Sequence, residues 1–222
     1  MLPLVFLAMP EAWRVRSSSS SAITQAWFAV AVLLGLSGIG LRAAALAFAP
    51  DGTSSRDTHR LRAPSLNTTG MYSIVRNPLY VGNALMWIGA VASLGLWWLV
   101  ALTALLYWLY IERVILVEEG FLEGQFGPEF TDWASRTPAF VPNPSAWRPA
   151  IGAFSWRRLS SEHNGLLGFV LAMVVFSVGV EVIAGRRTFT EWRMAHSLLI
   201  AMLLGSAALS TVLVVSKRLA RS

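Results

Sequence analysis

Two short groups of polar and turn-forming residues stand on either side of a long uncharged stretch in this chain. The first group reads Thr-Thr-Gly-Met-Tyr-Ser-Ile-Val-Arg-Asn-Pro-Leu-Tyr-Val-Gly over residues 68–82. The second group opens with the adjacent carboxylates Glu118 and Glu119 and continues to Pro138. Ionisable residues beside a strongly apolar segment are costly unless they are paired or solvated, and they often mark functional sites. The arrangement therefore indicates a ligand pocket at a membrane surface.

The first group has the features of a chain that turns and then enters a helix. Gly70 permits a sharp turn, and Pro78 can start a helix without wasting an amide donor. Gly82 follows on the first turn of that helix, where it lets a backbone or a ligand approach closely. Taken alone, one basic residue, two tyrosines and a proline at this place also describe a plain interfacial anchor.

The second group favours a pocket over an anchor. A tight helical hairpin would return Glu118 and Glu119 to the neighbourhood of the first group. Beyond them, Phe126, Phe130 and Trp133 have helical spacing and form one aromatic face. This face fits either a packed core or the lining of a lipid-facing pocket.

Composition indicates a membrane protein. The chain has 222 residues, of which 55% are hydrophobic and 14% are charged, whereas soluble domains carry about 25% charged residues. Residues 77–111 carry no charge, but one helix of that length would extend about 52 Å against a hydrocarbon core of roughly 30 Å. We therefore predict a hairpin that turns near Ser93-Leu94-Gly95. The expected fold is an all-α integral membrane protein with about five transmembrane helices, near residues 23–46, 80–94, 97–116, 165–184 and 195–215.

The predicted organisation has four parts. Residues 1–21 form an N-terminal interfacial segment that ends in a serine-rich flexible joint, and residues 22–64 form the first transmembrane helix and a basic loop. Residues 65–145 hold the hairpin and both polar groups. Residues 146–222 add a C-terminal pair of transmembrane helices and a basic tail. The first nine residues lack the charge and cleavage pattern of a signal peptide.

Basic residues set the expected orientation. Twelve arginines and lysines fall in the 49–80 loop, the 113–164 loop and the C-terminal tail, against five on the other side. This excess predicts that both polar groups face the cytoplasm. The membrane itself is expected to be a bacterial inner membrane. Topology and contact with membrane lipids explain the net charge of +6, so no nucleic-acid partner is expected. Arg42 is expected to snorkel to the cytoplasmic interface, away from Glu181.

Cysteine and histidine usage disfavours metal and thiol chemistry. The chain has no cysteine, which excludes disulfides, thiol catalysis and cysteine-ligated metals. Its histidines, His59, His163 and His196, are scattered and never spaced as metal ligands. We therefore predict no metal site.

Together the two groups resemble a known family. The pattern Thr-Thr-Gly-x-Tyr-x-x-x-Arg-x-Pro-x-Tyr-x-Gly, the hairpin, Glu-Glu-x-x-Leu-x-x-x-Phe-Gly-x-x-Phe and Arg-x-Pro is similar to the isoprenylcysteine carboxyl methyltransferases, to which the phospholipid N-methyltransferases are related. The resemblance implies a membrane-embedded enzyme whose two motifs bind S-adenosylmethionine at the cytosolic face. Its methyl acceptor would enter from the lipid. Asn77 departs from the family, which usually has histidine there; asparagine keeps a hydrogen-bonding side chain but cannot titrate.

The resemblance also implies roles for individual residues. The expected catalytic residues are Arg76, Arg113 and Glu119. The expected cofactor-binding residues are Gly70, Tyr72, Arg76, Asn77, Pro78, Tyr80, Gly82, Glu118, Glu119 and Leu122. The expected substrate-binding residues are Phe126, Phe130, Trp133 and Arg136. A carboxylate suits the cofactor's amino group or ribose hydroxyls, so we expect Glu119→Gln to weaken cofactor binding more than tenfold.

The implied reaction is methyl transfer to an oxygen or nitrogen of a lipid-borne or hydrophobic acceptor. The sequence does not choose between a carboxyl and an amine, although an amine would need a base to take its proton. An NADPH-dependent membrane reductase of the sterol-reductase type is an alternative, because such enzymes carry a similar Arg-x-x-x-Tyr-x-Gly segment. A non-catalytic scaffold or transporter is a second alternative. It is disfavoured because transporters place polar residues near the bilayer midplane.

Overall fold

A computed structural model of the chain describes residues 2–49, 65–184 and 188–219. Over these residues the fold is all-helical, which confirms the predicted class. Short 3₁₀ turns at Pro144–Ala146 and Ser160–Glu162 and a π-helical turn at Gly179–Ala184 complete the helical elements. The α-helices are α1 (Leu2–Ser18), α2 (Ser21–Ala47), α3 (Met71–Ile74), α4 (Pro78–Ala92), α5 (Trp97–Phe126), α6 (Pro128–Arg136), α7 (Trp156–Leu159), α8 (His163–Val178), α9 (Phe189–Ala195) and α10 (Ser197–Leu219).

Four helical segments of the described chain are long and apolar enough to cross a bilayer. They are Ala22–Ala47, Trp97–Phe126, Trp156–Val182 and Leu199–Ser216. The remaining predicted span, near residues 80–94, is the first arm of the hairpin. It corresponds to α4, an apolar helix of 15 residues. Its length of about 22 Å is less than a hydrocarbon core of roughly 30 Å. The chain is thus an integral membrane protein, and its described residues contain four helices of spanning length and one shorter apolar helix.

The hairpin turns where the sequence predicts. α4 ends at Ala92 and α5 begins at Trp97. Between them, Gly95 has a φ of 77°, in the left-handed region that favours glycine. The indole of Trp27 donates a hydrogen bond to the carbonyl of Ala92, so α2 caps the end of the short arm.

The chain packs into two compact units that interleave in sequence. The first comprises Met1–Ile39, Leu85–Ala104 and Ser160–Ser222, and the second comprises Gly40–Ala84 and Leu105–Leu159. α2, α4 and α5 are long enough to contribute residues to both units. The predicted core segment 65–145 is therefore divided: both polar groups belong to the second unit, and the hairpin turn belongs to the first.

In the first unit, α1 packs into the apolar core instead of lying as a separate interfacial segment. Val5, Met9 and Ala12 of α1 are buried in the same cluster as Phe169 and Met173 of α8. Only two of the five serines predicted to form a flexible joint separate α1 from α2. The predicted joint is therefore mostly helical, because both helices extend into it.

A buried charge cluster ties α1 to the C-terminal half of the same unit. Nη1 of Arg16 lies 2.5 Å from Oε1 of Glu181, within the π-helical turn, and Nε2 of His196 lies 3.3 Å from the same oxygen. Nη2 of Arg16 donates to the carbonyl of Ser93 at 2.9 Å. These contacts satisfy a carboxylate that is only 5% exposed, as a buried charge requires.

In the second unit, the chain that follows α6 returns along the first polar group. The amide of Gly70 donates to the carbonyl of Arg148 at 3.0 Å, and the amide of Arg148 donates to Oγ of Ser73 at 2.9 Å. The amide of Arg76 donates to the carbonyl of Pro138 at 2.9 Å. These bonds, two between backbone groups and one to the Ser73 hydroxyl, fix the backbone of the first group.

Candidate active site

Arg76 lies at the centre of the candidate site. Its Nε and Nη2 donate parallel hydrogen bonds to Oε1 and Oε2 of Glu119, at 2.8 and 2.9 Å. Its Nη1 donates to the carbonyls of Ala134 and Thr137, at 2.8 and 2.7 Å. These carbonyls lie at the C-terminal end of α6, where helical carbonyls have no partner inside the helix. Arg76 thus joins the first polar group to the second and caps α6.

Asn77 reinforces this ion pair. Its Nδ2 donates to Oε1 of Glu119 at 3.2 Å and to the carbonyl of Ala139 at 3.1 Å. The side chains of Arg76 and Glu119 are only 17% and 20% exposed to solvent. Charge-assisted hydrogen bonds are strong in such a partly buried environment, because water screens them less. A neutral amide suffices for this bridging contact, so the departure from the family's histidine is compatible with the geometry.

Glu118 has a different environment from its neighbour. The hydroxyl of Tyr80 donates to Oε1 of Glu118 at 2.5 Å, and the hydroxyl of Tyr107 donates to the carbonyl of Tyr80 at 2.8 Å. Within the described part of the chain, no other hydrogen bond reaches the Glu118 carboxylate. Glu119 is therefore committed to an ion pair, whereas Glu118 is held by one neutral hydroxyl and retains an oxygen for a ligand.

Tyr72 lies near the charged side chains of Glu118 and Arg42. Its carbonyl accepts a hydrogen bond from Nε1 of Trp133 at 3.1 Å, which anchors α3 against α6. Burial raises the pKa of the Tyr72 phenol to about 12; the negative charge of Glu118 adds to the rise, and the positive charge of Arg42 opposes it. Tyr72 is therefore a neutral hydrogen-bonding group at physiological pH.

Glycine and proline shape the backbone around these residues, and the turn at Gly70 and the helix start at Pro78 are where the sequence predicts them. Gly70 has a φ of 60° at the start of α3, and a Cβ there would lie 3.1 Å from Cβ of Ala150. Gly127 has a φ of 53° at the start of α6, where Pro128 is the first helical residue. Pro78 starts α4 and is fully buried. Each of these residues turns the chain at the edge of a helix that carries a polar side chain of the site.

Arg113 lies apart from the other residues of the predicted catalytic set. It precedes Glu119 by six residues on α5, which places it about 120° around the helix axis. The buried residues Ile111 and Ile115 mark the packed face of α5, on which Glu119 also falls, and Arg113 is exposed. The structure therefore brings Arg76 and Glu119 together without Arg113.

The aromatic residues of the second group are largely core. Phe130 and Trp133 are buried, and their ring centroids lie 5.7 Å apart in an edge-to-face arrangement. Phe126 and Leu122 are partly buried on α5, and Gly82 is buried on α4. The contact with a substrate that the resemblance implies for these aromatics stays a prediction.

Two clefts open in the second unit. The larger has a volume of about 620 Å³, within the usual range for small-molecule sites. The smaller has a volume of about 230 Å³. Arg136, an exposed residue in the last turn of α6, lines both. The larger cleft is lined by Arg76, residues 134–138 and residues 141–144; the smaller is lined by Thr68, Ser73, Glu129, Asp132, Trp133, Arg136, Thr137, Ala146 and Arg148.

Sequence reasoning missed two polar residues that border the site. Asn83 accepts a hydrogen bond through Oδ1 from Nη1 of Arg42 at 2.8 Å, and Tyr107 holds the backbone of Tyr80. The signal that could have found them is a polar side chain inside a strongly apolar helix. Arg42 was expected only to snorkel to the interface, but it also donates to α4 of the same unit.

The described residues show no cluster of metal ligands. No group of three or more His, Cys, Asp or Glu side chains that could hold a metal ion occurs among residues 2–49, 65–184 and 188–219. His196 contacts Glu181, and Nδ1 of His163 contacts the carbonyl of Ser160. His59 and the predicted basic loop at 50–64 lie outside the described residues.

The fold and this site define the class of protein: an integral membrane protein in which two sequence motifs converge on one polar cluster. Residues 26–129 match the sequence model of a family described as phospholipid methyltransferase. The resemblance to the isoprenylcysteine carboxyl methyltransferases and the related phospholipid methyltransferases is thereby confirmed.

Three curated relatives are similar to part of the chain. A cobalt-zinc-cadmium resistance protein of Cupriavidus metallidurans is 41% identical over 92 residues, which are 41% of this chain and 41% of that protein. A nickel-cobalt-cadmium resistance protein of Alcaligenes xylosoxydans xylosoxydans is 42% identical over 87 residues, 39% of this chain and 40% of that protein. A protein-S-isoprenylcysteine O-methyltransferase of Schizosaccharomyces pombe is 31% identical over 77 residues, 35% of this chain and 33% of that protein.

These likenesses are partial. The matched segments span about two fifths of the two resistance proteins and one third of the yeast enzyme. No solved structure matches the chain significantly. The comparisons therefore support the resemblance to this family and leave the reaction of this chain to be argued from its own site.

Proposed function

We propose that this protein is an integral membrane methyltransferase that uses S-adenosylmethionine and methylates a carboxyl or amine group of a lipid-borne or hydrophobic acceptor. The observation that carries the proposal is the convergence of both motifs through Arg76, Glu119, Tyr80 and Glu118. The family match over residues 26–129 and the partial likeness to an isoprenylcysteine O-methyltransferase support the same reaction.

The residues present fit this cofactor. S-adenosylmethionine carries a cationic amino group and ribose hydroxyls, and the oxygen that Glu118 retains is a suitable acceptor for either. It also carries a carboxylate, which suits the exposed guanidinium of Arg136 beside both clefts. The larger cleft has a volume typical of small-molecule sites and is lined by Arg76, the partner of Glu119, whereas Glu118 lines neither cleft.

The two glutamates have different tasks in this proposal. Glu119 is a positioning residue, because both of its oxygens hold Arg76 and one also holds Asn77. Glu118 is the ligand-facing carboxylate, and Tyr80 orients it. The sequence predicted a cofactor role for both glutamates, and the hydrogen bonds favour Glu118 for direct contact.

The chemistry needs alignment more than activation. S-adenosylmethionine supplies a sulfonium methyl group whose C–S bond breaks as a C–O or C–N bond forms, leaving a neutral thioether. The rigid cluster around Arg76 holds the cleft wall in place, and alignment of two reactants can contribute about 7–11 kcal/mol at best. A carboxylate acceptor needs no base, whereas an amine must release a proton, and we assign Glu118 as the carboxylate that takes it.

The site is proposed to face the cytoplasm of a bacterial inner membrane. Basic residues are in excess in the segments that carry both motifs, as the positive-inside rule requires. A soluble cytosolic cofactor would then reach the clefts from water. The methyl acceptor would approach from the lipid along the helices that border the site.

The proposal is tested by following a labelled methyl group. The full chain, reconstituted in vesicles of a bacterial lipid extract, is incubated with S-adenosylmethionine labelled on the methyl group, and the label is counted in the lipid-soluble fraction. We expect label in that fraction, and a rate at least a hundredfold lower for Glu118→Gln. Glu123→Gln, which removes an exposed carboxylate from the same helix, is the matched control and should keep the wild-type rate. Equal rates for wild type and Glu118→Gln would contradict the proposal.

A further inference from the structure

An exposed apolar surface follows the candidate site in the chain. Trp147, Ile151 and Trp156 are 52%, 86% and 74% exposed, and Phe154 is also exposed. None of these four residues belongs to the candidate active site. Contiguous exposed apolar residues of this size mark an interaction surface.

The C-terminal end of this segment is tied to places where the chain meets the bilayer. The amide of Ser155 donates to the carbonyl of Ala47 at 2.9 Å, and Ala47 is the last residue of the span Ala22–Ala47. Trp156 is the first residue of the span Trp156–Val182. The C-terminal end of the segment therefore lies beside the end of one membrane-spanning helix and at the start of another.

Close packing against the end of α2 holds the segment at that level. The rings of Phe154 and Phe48 lie edge to face with centroids 5.5 Å apart, and Phe154 contacts Trp156 in the same way at 5.0 Å. Gly152 sits on the backbone of Phe48, since a Cβ there would lie 2.1 Å from the Phe48 carbonyl oxygen. The apolar side chains thus project from a backbone that is fixed at a helix end.

The charges of the segment are all of one sign. Residues 147–158 contain Arg148, Arg157 and Arg158 and no acidic residue. Tryptophan is enriched at membrane–water interfaces, and arginine beside a membrane is attracted to anionic headgroups. The combination complements a bilayer surface that carries anionic lipids.

We propose that residues 147–158 form a docking surface for the anionic phospholipids of the bilayer surface. Its tryptophans and Ile151 enter the boundary between headgroups and acyl chains, and the positive charge of its arginines attracts the lipid phosphates. Arg148 also pairs through its backbone with Gly70 and Ser73, so the lipid contact borders the first motif. The proposal is independent of the reaction, because it depends only on exposure, charge and the position of the spans.

The location of the segment is tested with a single spin label, which the absence of native cysteine makes possible. Ile151→Cys is labelled with a nitroxide in the full chain, in nanodiscs of phosphatidylcholine and phosphatidylglycerol. Collisions with oxygen, which concentrates in the bilayer, are compared with collisions with a water-soluble nickel complex. We expect oxygen to dominate at residue 151 and the nickel complex to dominate at Thr131→Cys, an exposed position on α6. Dominance of the nickel complex at residue 151 would overturn the proposal.

The requirement for anionic lipid is tested with the same label. The label at residue 151 should lie deeper with phosphatidylglycerol present than in phosphatidylcholine alone. Adding Arg148→Gln and Arg157→Gln should abolish this difference, whereas Arg193→Gln, which removes one charge elsewhere, should preserve it. No difference in the parent protein, or a difference that survives the paired substitution, would overturn the anionic-lipid assignment.

Discussion

Arg76 and Glu119 form a forked ion pair between segments that lie 43 residues apart in the chain. The same guanidinium binds two carbonyls at the C-terminal end of α6. One side chain therefore fixes three segments: the first motif, the outgoing helix of the hairpin and α6. Because Arg76 also lines the larger cleft, the shape of that cleft depends on this pair.

Arg76→Lys should damage both stability and ligand binding. Lysine keeps the positive charge but cannot make the fork to Glu119 and reach the carbonyls of α6 together. We expect the free energy of unfolding to fall by about 2–4 kcal/mol, since hydrogen bonds to charged groups contribute about 1.5–3 kcal/mol each, and S-adenosylmethionine affinity to fall at least tenfold. Arg113→Lys, at an exposed position, should leave the unfolding midpoint unchanged. Denaturant unfolding and calorimetric titration measure both effects, and unchanged stability of Arg76→Lys would contradict the role given to the pair.

Substitution of Glu118 and of Glu119 by glutamine should have different effects on stability. Both Glu118→Gln and Glu119→Gln should weaken S-adenosylmethionine binding more than tenfold. Only Glu119→Gln should also lower the unfolding midpoint, because it leaves the partly buried Arg76 without its counter-charge. Thermal unfolding and binding are measured on the same preparations. A destabilised Glu118→Gln beside a fully stable Glu119→Gln would reverse the assignment of tasks.

The turn at Gly70 should not tolerate a side chain. Gly70 has a φ of 60° and a ψ of −133°, a backbone conformation nearly confined to glycine, and Ala150 lies close to the position of a Cβ. Gly70→Ala should therefore destabilise the protein by about 1–3 kcal/mol. It should also displace Tyr72 and Arg76 from the site. Gly120→Ala is the control: no atom lies within 4 Å of its added Cβ, and alanine should stabilise the interior of α5. Unfolding measurements that show equal effects would indicate that the turn is not constrained.

Much of the fold follows from the sequence, for identifiable reasons. The uncharged stretch 77–111 is too long for one spanning helix, and Gly95 supplies a turn, so the hairpin was predictable. Glycine and proline mark the edges of α3, α4 and α6 because few other residues adopt the required backbone. The burial of α1 was not predictable, because an apolar segment of its length packs equally well against protein or lipid.

The partners of the site residues were less accessible to sequence reasoning. Adjacent glutamates look equivalent in the sequence, and only the three-dimensional placement of Arg76 and Tyr80 distinguishes Glu119 from Glu118. Asn77 appeared as a departure from a family pattern, yet the structure gives it a bridging contact to Glu119. Such pairings depend on the rotation of α5 about its axis, which hydrophobic periodicity fixes only approximately.

Alkaline pH should probe the burial of Tyr72. Its phenol is neutral in both the folded and the unfolded protein below its ordinary pKa of 10, and burial raises the pKa in the folded protein to about 12. Between these values the unfolded chain releases the proton and the folded protein keeps it, so stability falls as pH rises. Tyr72→Phe should lose less stability than wild type across this window. Tyr110→Phe, at an exposed ring, should behave as wild type, and identical losses in all three proteins would contradict the burial of Tyr72.

The most direct test of the account is calorimetric titration of S-adenosylmethionine and of NADPH into the full chain in nanodiscs, with folding verified by thermal unfolding. We expect micromolar binding of S-adenosylmethionine and no binding of NADPH. Glu118→Gln should lose the binding of S-adenosylmethionine. Binding of NADPH alone would place the protein with the membrane reductases. Binding of neither ligand by the folded protein would contradict the central claim that the Arg76–Glu119 cluster supports a cofactor site.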